Sequence, residues 1–238
     1  MTLAVLYRLL SIGFSRPDAE TLEQLRRLTV LAARRAPEEG LADALGELEL
    51  ALDDDDLLPE LQADYEALFG GAVRVSPYEG SYEPDPFRSG RQMADLAGFY
   101  RAFGADSAGP AGERADHAGC ELEFMSFLLL KRSAAEEAGE DEHAAVCREA
   151  EEAFLRDHLG RWFPGFCREV ASSASSPVYR LLAITGERLT AFELARRAIP
   201  VSPLGPRRDR TGIERELLAD ELTCGEGTLA AEAGRQTA

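Results

Sequence analysis

Apolar residues recur through most of this chain at intervals of three and four. Leu41, Leu45, Leu48 and Leu52 fall on one such stripe, and Leu58, Leu61, Tyr65 and Leu68 on the next. That spacing follows the turn of an α-helix and gives each helix one face to bury. No sustained alternation of apolar and polar residues marks a half-buried strand. The expected fold is all-α with no sheet: a helical globule of two packed helical lobes joined by a hinge.

Breakers divide the pattern. Leu3, Leu6 and Leu10 form a first stripe. Ser15 is the expected cap of the next helix, with Pro17 in its first turn and Asp18 in the capping-box position. Gly70-Gly71 stops the stripe that ends at Leu68. Residues 70–90 then hold Gly70, Gly71, Pro77, Gly80, Pro84, Pro86 and Gly90. A loop of that length is functional or disordered more often than a shorter one. The run Gly104 to Gly112 marks a lobe boundary. The domain expectation is an N-terminal lobe over 1–103 carrying the 70–90 loop, a hinge over 104–116, a C-terminal lobe over 117–200, and a mobile tail over 201–238. That tail has one short helical candidate, from Ile213 to Leu222. The stretch from Leu122 to Leu130 is apolar on nearly all sides and predicts a central core helix. Ser176-Pro177 predicts the start of the last strong helix, as cap and first-turn proline.

Charge excludes some partners. The chain carries 26 Lys and Arg against 43 Asp and Glu, a net charge of −17. Nucleic-acid binding needs clustered basic residues, so it is not expected. A cationic partner is favoured. The N-terminus does not read as a secretory signal, and no apolar run approaches the ~20 residues of a membrane span. Cys120, Cys147, Cys167 and Cys224 form no C-x-x-C pair, which fits buried thiols in a reducing cytoplasm. His117, His143 and His158 stand in no metal-binding spacing, and no metal or other cofactor is expected. Walker, G-x-G-x-x-G and G-x-S-x-G motifs are absent, so neither nucleotide chemistry nor nucleophilic catalysis is indicated.

Two segments stand out. The first is Tyr65-Glu-Ala-Leu68-Phe69, followed by Ser76-Pro77-Tyr78-Glu79-Gly80-Ser81-Tyr82. Aromatic rings beside carboxylates on a loop suit the capture of an apolar, cationic peptide, or else tack the loop onto its helices. The second is Glu113-Arg-Ala-Asp116-His117, followed by Glu121-Leu-Glu123-Phe-Met125. Asp116 is the expected helix cap, receiving the N–H of Gly119 or Cys120. Glu121 and Glu123 cannot both face one core. They are ordinary acids at a capped helix start, or an acidic patch that grips arginine. A third run, from Phe154 through His158 and Trp162 to Pro164, reads as a core tryptophan with a packed histidine, on a helix ending at the proline.

Together these motifs resemble the redox-enzyme maturation chaperones of the TorD/DmsD type. The resemblance rests on Tyr65-x-x-Leu68-Phe69, Ser76-Pro77-Tyr78-Glu79-x-Ser81-Tyr82, Glu113-x-x-Asp116-His117 with Glu121-Leu-x-Phe-Met125, and His158-Leu-x-x-Trp162-x-Pro164-x-Phe166. It implies a cytoplasmic, all-helical chaperone with no turnover. Such a protein binds the twin-arginine leader and body of a molybdenum-cofactor enzyme's catalytic subunit and delays its export until the cofactor is inserted. The client would be a reductase for an N- or S-oxide, nitrate, selenate or chlorate, or a related dehydrogenase. The implied peptide positions are Tyr65, Leu68, Phe69, Tyr78, Tyr82, Asp116 and His117. Pro77, Glu79, Glu121 and Glu123 complete the candidate set. Ala115 stands where the family commonly has proline. The chain is expected as a monomer or a domain-swapped dimer. The alternative is a metal-dependent helical enzyme or regulator using Asp116, His117 and Glu121.

Overall fold

The apolar stripes become helices in a computed structural model of the chain, which describes residues 2–71, 73–105 and 112–205. In chain order these are α1 (Thr2–Gly13), α2 (Ala19–Ala33), α3 (Glu39–Ala51), α4 (Leu57–Phe69), α5 (Pro86–Phe103), α6 (Ala118–Ala138), α7 (Asp141–Phe154), α8 (Gly160–Ser173) and α9 (Pro177–Arg197). The described residues contain no strand, so the all-α expectation holds. The 104–116 hinge and the tail are described only in part, because residues 106–111 and 206–238, Cys224 and the helical candidate from Ile213 to Leu222 included, lie outside the described residues.

Two helices form the middle of the packing. α1 buries Ala4, Leu6, Tyr7 and every residue from Leu9 to Gly13. α6 buries Leu122, Phe124, Met125, Leu128 and Leu129, as its all-round apolar sequence predicts. α1 packs on α6 and α2, α6 on α7, and α9 on α8 and α3. One hydrophobic cluster collects Leu10, Leu45, Leu68, Leu122, Trp162 and Leu182. Sequence on both sides of the 104–116 segment therefore contributes to a single core.

Several boundaries follow local chemistry. Ser176 caps α9 by accepting the Val178 N–H, with Pro177 at the first helical position. α6 ends at Gly139, whose φ of 72° is left-handed and suits glycine. Two boundaries differ from expectation. Asp18, not Ser15, caps α2, in a reciprocal box with Thr21. Ser15 instead donates back to the Ser11 carbonyl and so closes α1. The helix through Trp162 also does not stop at Pro164, which lies inside α8. Burial of Trp162, Phe163, Phe166 and Val170 on one face outweighs the hydrogen bond the proline forgoes.

α7 runs into α8 through a single π-helical turn, Leu155–Leu159. The Gly160 N–H reaches back to the Leu155 carbonyl. A Cβ at Gly160 would lie 2.3 Å from that oxygen, so only glycine fits. The extra residue in this turn aims His158 into the core, where it is 2% exposed. Of the expected mobile tail, residues 201–205 return across α8. The Leu204 N–H donates to the Arg161 carbonyl at 2.9 Å, and Arg161 donates to the Ser202 carbonyl.

Candidate functional site

The 76–82 segment and the stretch before α6 meet as one structure. Tyr78 and His117 form an isolated antiparallel bridge. The Glu79 N–H donates to the Asp116 carbonyl at 2.9 Å, and the Ala118 N–H to the Pro77 carbonyl at 2.8 Å. Side chains reinforce the junction. The Tyr78 hydroxyl donates to Glu113 at 3.0 Å, the Arg114 guanidinium lies 4.8 Å over the Tyr78 ring, and that ring meets His117 edge-on. The Asp116 carboxylate accepts from the Gly80 N–H at 3.2 Å and from Arg114 at 2.8 Å. A Cβ at Gly80 would come within 3.1 Å of that carboxylate oxygen, so glycine allows the close approach.

Beside this junction opens a cleft of about 400 Å³. Tyr65, Gln62, Asp18, Arg16, Glu113 and His117 line it. Tyr65 stands on α4, braced edge-on by Phe69. Burial, and then the Glu113 charge, push its phenol up to about 12. Its hydroxyl makes no hydrogen bond among the described residues, which leaves a neutral donor at the cleft. Thr21 hydrogen bonds hold the Asp18 carboxyl below its ordinary range. Asp18 and Glu113 thus bring acidic groups to a partly apolar wall, an arrangement that suits a guanidinium beside apolar groups.

The cap of α6 differs from expectation. Asp116 is turned toward Gly80 and Arg114, and His117 takes the cap, its Nδ1 accepting the Gly119 N–H at 3.0 Å. Burial lowers the His117 pKa below 6.5, against the opposing charges of Glu113 and Asp116. The folded state therefore favours the neutral ring, with Nδ1 as acceptor. This contribution is complete above pH 6.5 and is lost as pH falls through the lower folded value. His117→Ala should cost about 1 kcal/mol of stability in urea unfolding. His117→Asn keeps an acceptor and should recover most of that loss. Equal losses in both variants would show that the cap is not what His117 supplies.

The remaining predicted positions do not line the cleft. Leu68 and Tyr82 belong to the hydrophobic core. The Tyr82 ring packs on Trp162, and its hydroxyl reaches the Ser76 carbonyl and the Glu169 carboxylate. Phe69 is half-buried among Tyr65, Phe166 and Tyr179. Pro77, Glu79, Asp116 and Glu121 are buried. Glu123 is half-exposed and pairs with Arg8 at 2.5 Å. So Glu121 faces the core and Glu123 does not. The alternative metal set does not converge: the His117 Nδ1 is taken by Gly119, Asp116 by Gly80 and Arg114, and Glu121 by Trp162. Among the described residues no three His, Cys, Asp or Glu side chains are placed to hold a metal ion.

Four of the lining residues named above were not singled out as site residues from sequence: Arg16, Asp18, Gln62 and Glu113. Glu113 lines the cleft and holds Tyr78. Asp18, the cap of α2, Arg16 just before it, and Gln62 of α4 are brought there only by the packing. The signal for Glu113 was present, since it opens the Glu113-x-x-Asp116-His117 motif.

Comparison with known proteins settles the family. The sequence model of the family described as nitrate reductase delta subunit matches residues 34–168, more than half of the chain. The chain belongs to this family. The nitrate reductase delta subunit match runs from the end of α2 into α8 and so takes in the junction and part of the cleft. Relatives include the selenate reductase assembly chaperone protein of Thauera selenatis, 39% identical over 49% of this chain and 60% of the relative. The chlorate reductase assembly chaperone protein of Ideonella dechloratans is 33% identical over 68% of this chain and 74% of its own. Chaperone protein TorD of Aeromonas salmonicida is 32% identical over 64% and 65%. These matches bear out the resemblance to TorD-type redox-enzyme maturation proteins. A solved structure of a candidate redox enzyme maturation protein from Archaeoglobus fulgidus superposes with a TM-score of 0.52 at 22% identity, over 79% of this chain and 93% of that one, which shows the shared fold.

Proposed function

We propose that this member of the nitrate reductase delta subunit family is an assembly chaperone for the catalytic subunit of a molybdenum-cofactor reductase. It acts in the cytoplasm, as a binding protein without turnover, and engages the subunit's twin-arginine leader as well as its body. The observation that carries this reading is the cleft beside the Tyr78–His117 junction, whose lining Tyr65 shares with Asp18 and Glu113. A leader offers two guanidinium groups and an apolar stretch, and this wall offers their complements. The net charge of −17 favours approach of such a segment. Relatives named as assembly chaperones for selenate, chlorate and perchlorate reductases support the class of client. The described residues include no helix long and apolar enough to cross a membrane.

Titration calorimetry with a synthetic twin-arginine leader tests the reading. One-to-one binding is expected, weaker at high salt because screening reduces the charge attraction. A leader with both arginines changed to glutamine should lose most of it. Equal affinity for the two peptides would remove the charge-based recognition.

A further inference from the structure

Behind the junction lies a buried pair of carboxyl groups that leader capture does not use. Glu79, on the 3-10 turn Glu79–Ser81, and Glu121, in the first turn of α6, are each 0% exposed. Each has one oxygen provided for. The His158 ring Nδ1 lies 3.1 Å from Glu79 Oε2, and Trp162 Nε1–H donates to Glu121 Oε2 at 3.0 Å. The other two oxygens, Glu79 Oε1 and Glu121 Oε1, are buried and meet no donor among the described residues. The backbone brings the two residues to one buried spot, with the Glu79 N–H on the Asp116 carbonyl and the Glu121 N–H on the His117 carbonyl. Two carboxylates offer only acceptors, so a hydrogen bond between them closes only when one of them carries a proton.

We propose that Glu79 and Glu121 share one proton, and that this proton fastens the 76–82 segment to α6, making both residues positioning residues for Tyr78 and Asp116 at the junction. The groups around the pair fit a single shared proton. Asp116, from the segment before α6, adds a third buried carboxylate, itself held by Arg114 and the Gly80 N–H. His158, from the π turn, faces Glu79 with one ring nitrogen and Asp95 of α5 with the other, at 3.2 Å. From α5 the Tyr100 phenol points elsewhere, to the Ala115 carbonyl. His117 is engaged at its cap. One anion of the pair has His158 beside it, and a second anion would have none. Burial and then Glu79 push the Glu121 carboxyl well above its usual range, in agreement with the geometry.

The sign follows from linkage. A carboxyl whose folded pKa is raised binds its proton more tightly in the folded state. Its stabilising contribution is complete below the ordinary carboxylate value of 4.5 and is lost as pH rises through the raised folded value. The latch is therefore a device that loosens with increasing pH. The inference does not depend on what the cleft binds, because it concerns the chain alone.

Glu121→Gln is the decisive variant. The amide keeps both bonds, with Oε1 accepting from Trp162 and Nε2 donating to Glu79, and it does not titrate. Thermal unfolding of both proteins should give nearly equal Tm at about pH 4.5. Above it, E121Q should gain on wild type by roughly 3–5 °C per pH unit until the folded value is passed. Amide exchange at Gly80 and Ser81 should rise faster with pH in wild type than in E121Q. A Tm difference that does not change with pH would overturn the proposal. Carboxyl-labelled glutamate NMR on the wild-type chain supplies a reading that needs no variant. One glutamate carboxyl should keep the shift of a protonated acid well above pH 4.5, and its absence would overturn the proposal even if E121Q did not fold.

Discussion

Arg197→Ala is expected to remove about 3–5 kcal/mol of folding stability. Arg197 sits near the end of α9 with its side chain only 6% exposed. It donates to Glu151 at 2.6 Å and to Glu193 at 3.2 Å, and both carboxylates are fully buried. Arg132 completes Glu151 from α6 at 2.7 Å, and Arg196 completes Glu193. Without Arg197, Glu151 and Glu193 keep single, more exposed partners inside a low-dielectric site. The Tyr7 phenol, pushed up by burial and by Glu193, cannot supply a countercharge. Arg197→Met should be nearly as damaging, because the cost is the stranded charge and not the lost volume. Urea unfolding measures both, and a loss below about 1 kcal/mol would place this network in the class of solvated surface pairs.

Trp162→Ala should cost a similar amount, about 3–5 kcal/mol, through the cavity it leaves. The indole is fully buried against Tyr82, Phe163 and Phe166. It also donates to the Glu121 carboxyl. Trp162→Phe separates the two effects. Most of the ring volume returns, while the lost N–H leaves a buried acceptor at about 1–3 kcal/mol. If the two variants unfolded at the same urea concentration, the hydrogen bond to Glu121 would account for the whole loss and the cavity for none.

These sites show what the sequence made legible. Helix identity was readable because Leu41, Leu45, Leu48 and Leu52 repeat the helical period, and all four are buried. The start of α9 was readable because Ser176-Pro177 is chemistry local to one turn. The central place of α6 was readable from its apolar circumference. α1 is just as central, but it also buries Ser11 and Gly13, residue types that do not announce burial. Ser11 is buried because its hydroxyl finds the Gly119 carbonyl of α6, a partner 108 residues away. The caps of α2 and α6 were misplaced for the same reason. Ser15 and Asp116 are good cap residues by type, but each is drawn to another bond, Ser15 to Ser11 and Asp116 to Gly80 and Arg114. Tyr82 looked like a surface anchor because its segment is a loop, yet the loop folds onto Trp162. The π turn that aims His158 at Glu79 leaves no mark in the apolar pattern, since one inserted residue is absorbed between α7 and α8. The cleft gathers α2, α4 and the junction, so only the order of its motifs, and not its shape, could be read beforehand.

The cleft is the proposed place of leader binding. The most direct measurement is the affinity of Tyr65→Ala for a synthetic twin-arginine leader, by titration calorimetry beside wild type. Tyr65 is half-buried on α4, so the fold should survive the change, with circular dichroism unaltered. A loss of about 1–3 kcal/mol in binding is expected, the range of an interface anchor. Glu113→Gln should also weaken binding, and that loss should shrink as salt rises. Wild-type affinity in Tyr65→Ala, at full helical content, would contradict that placement.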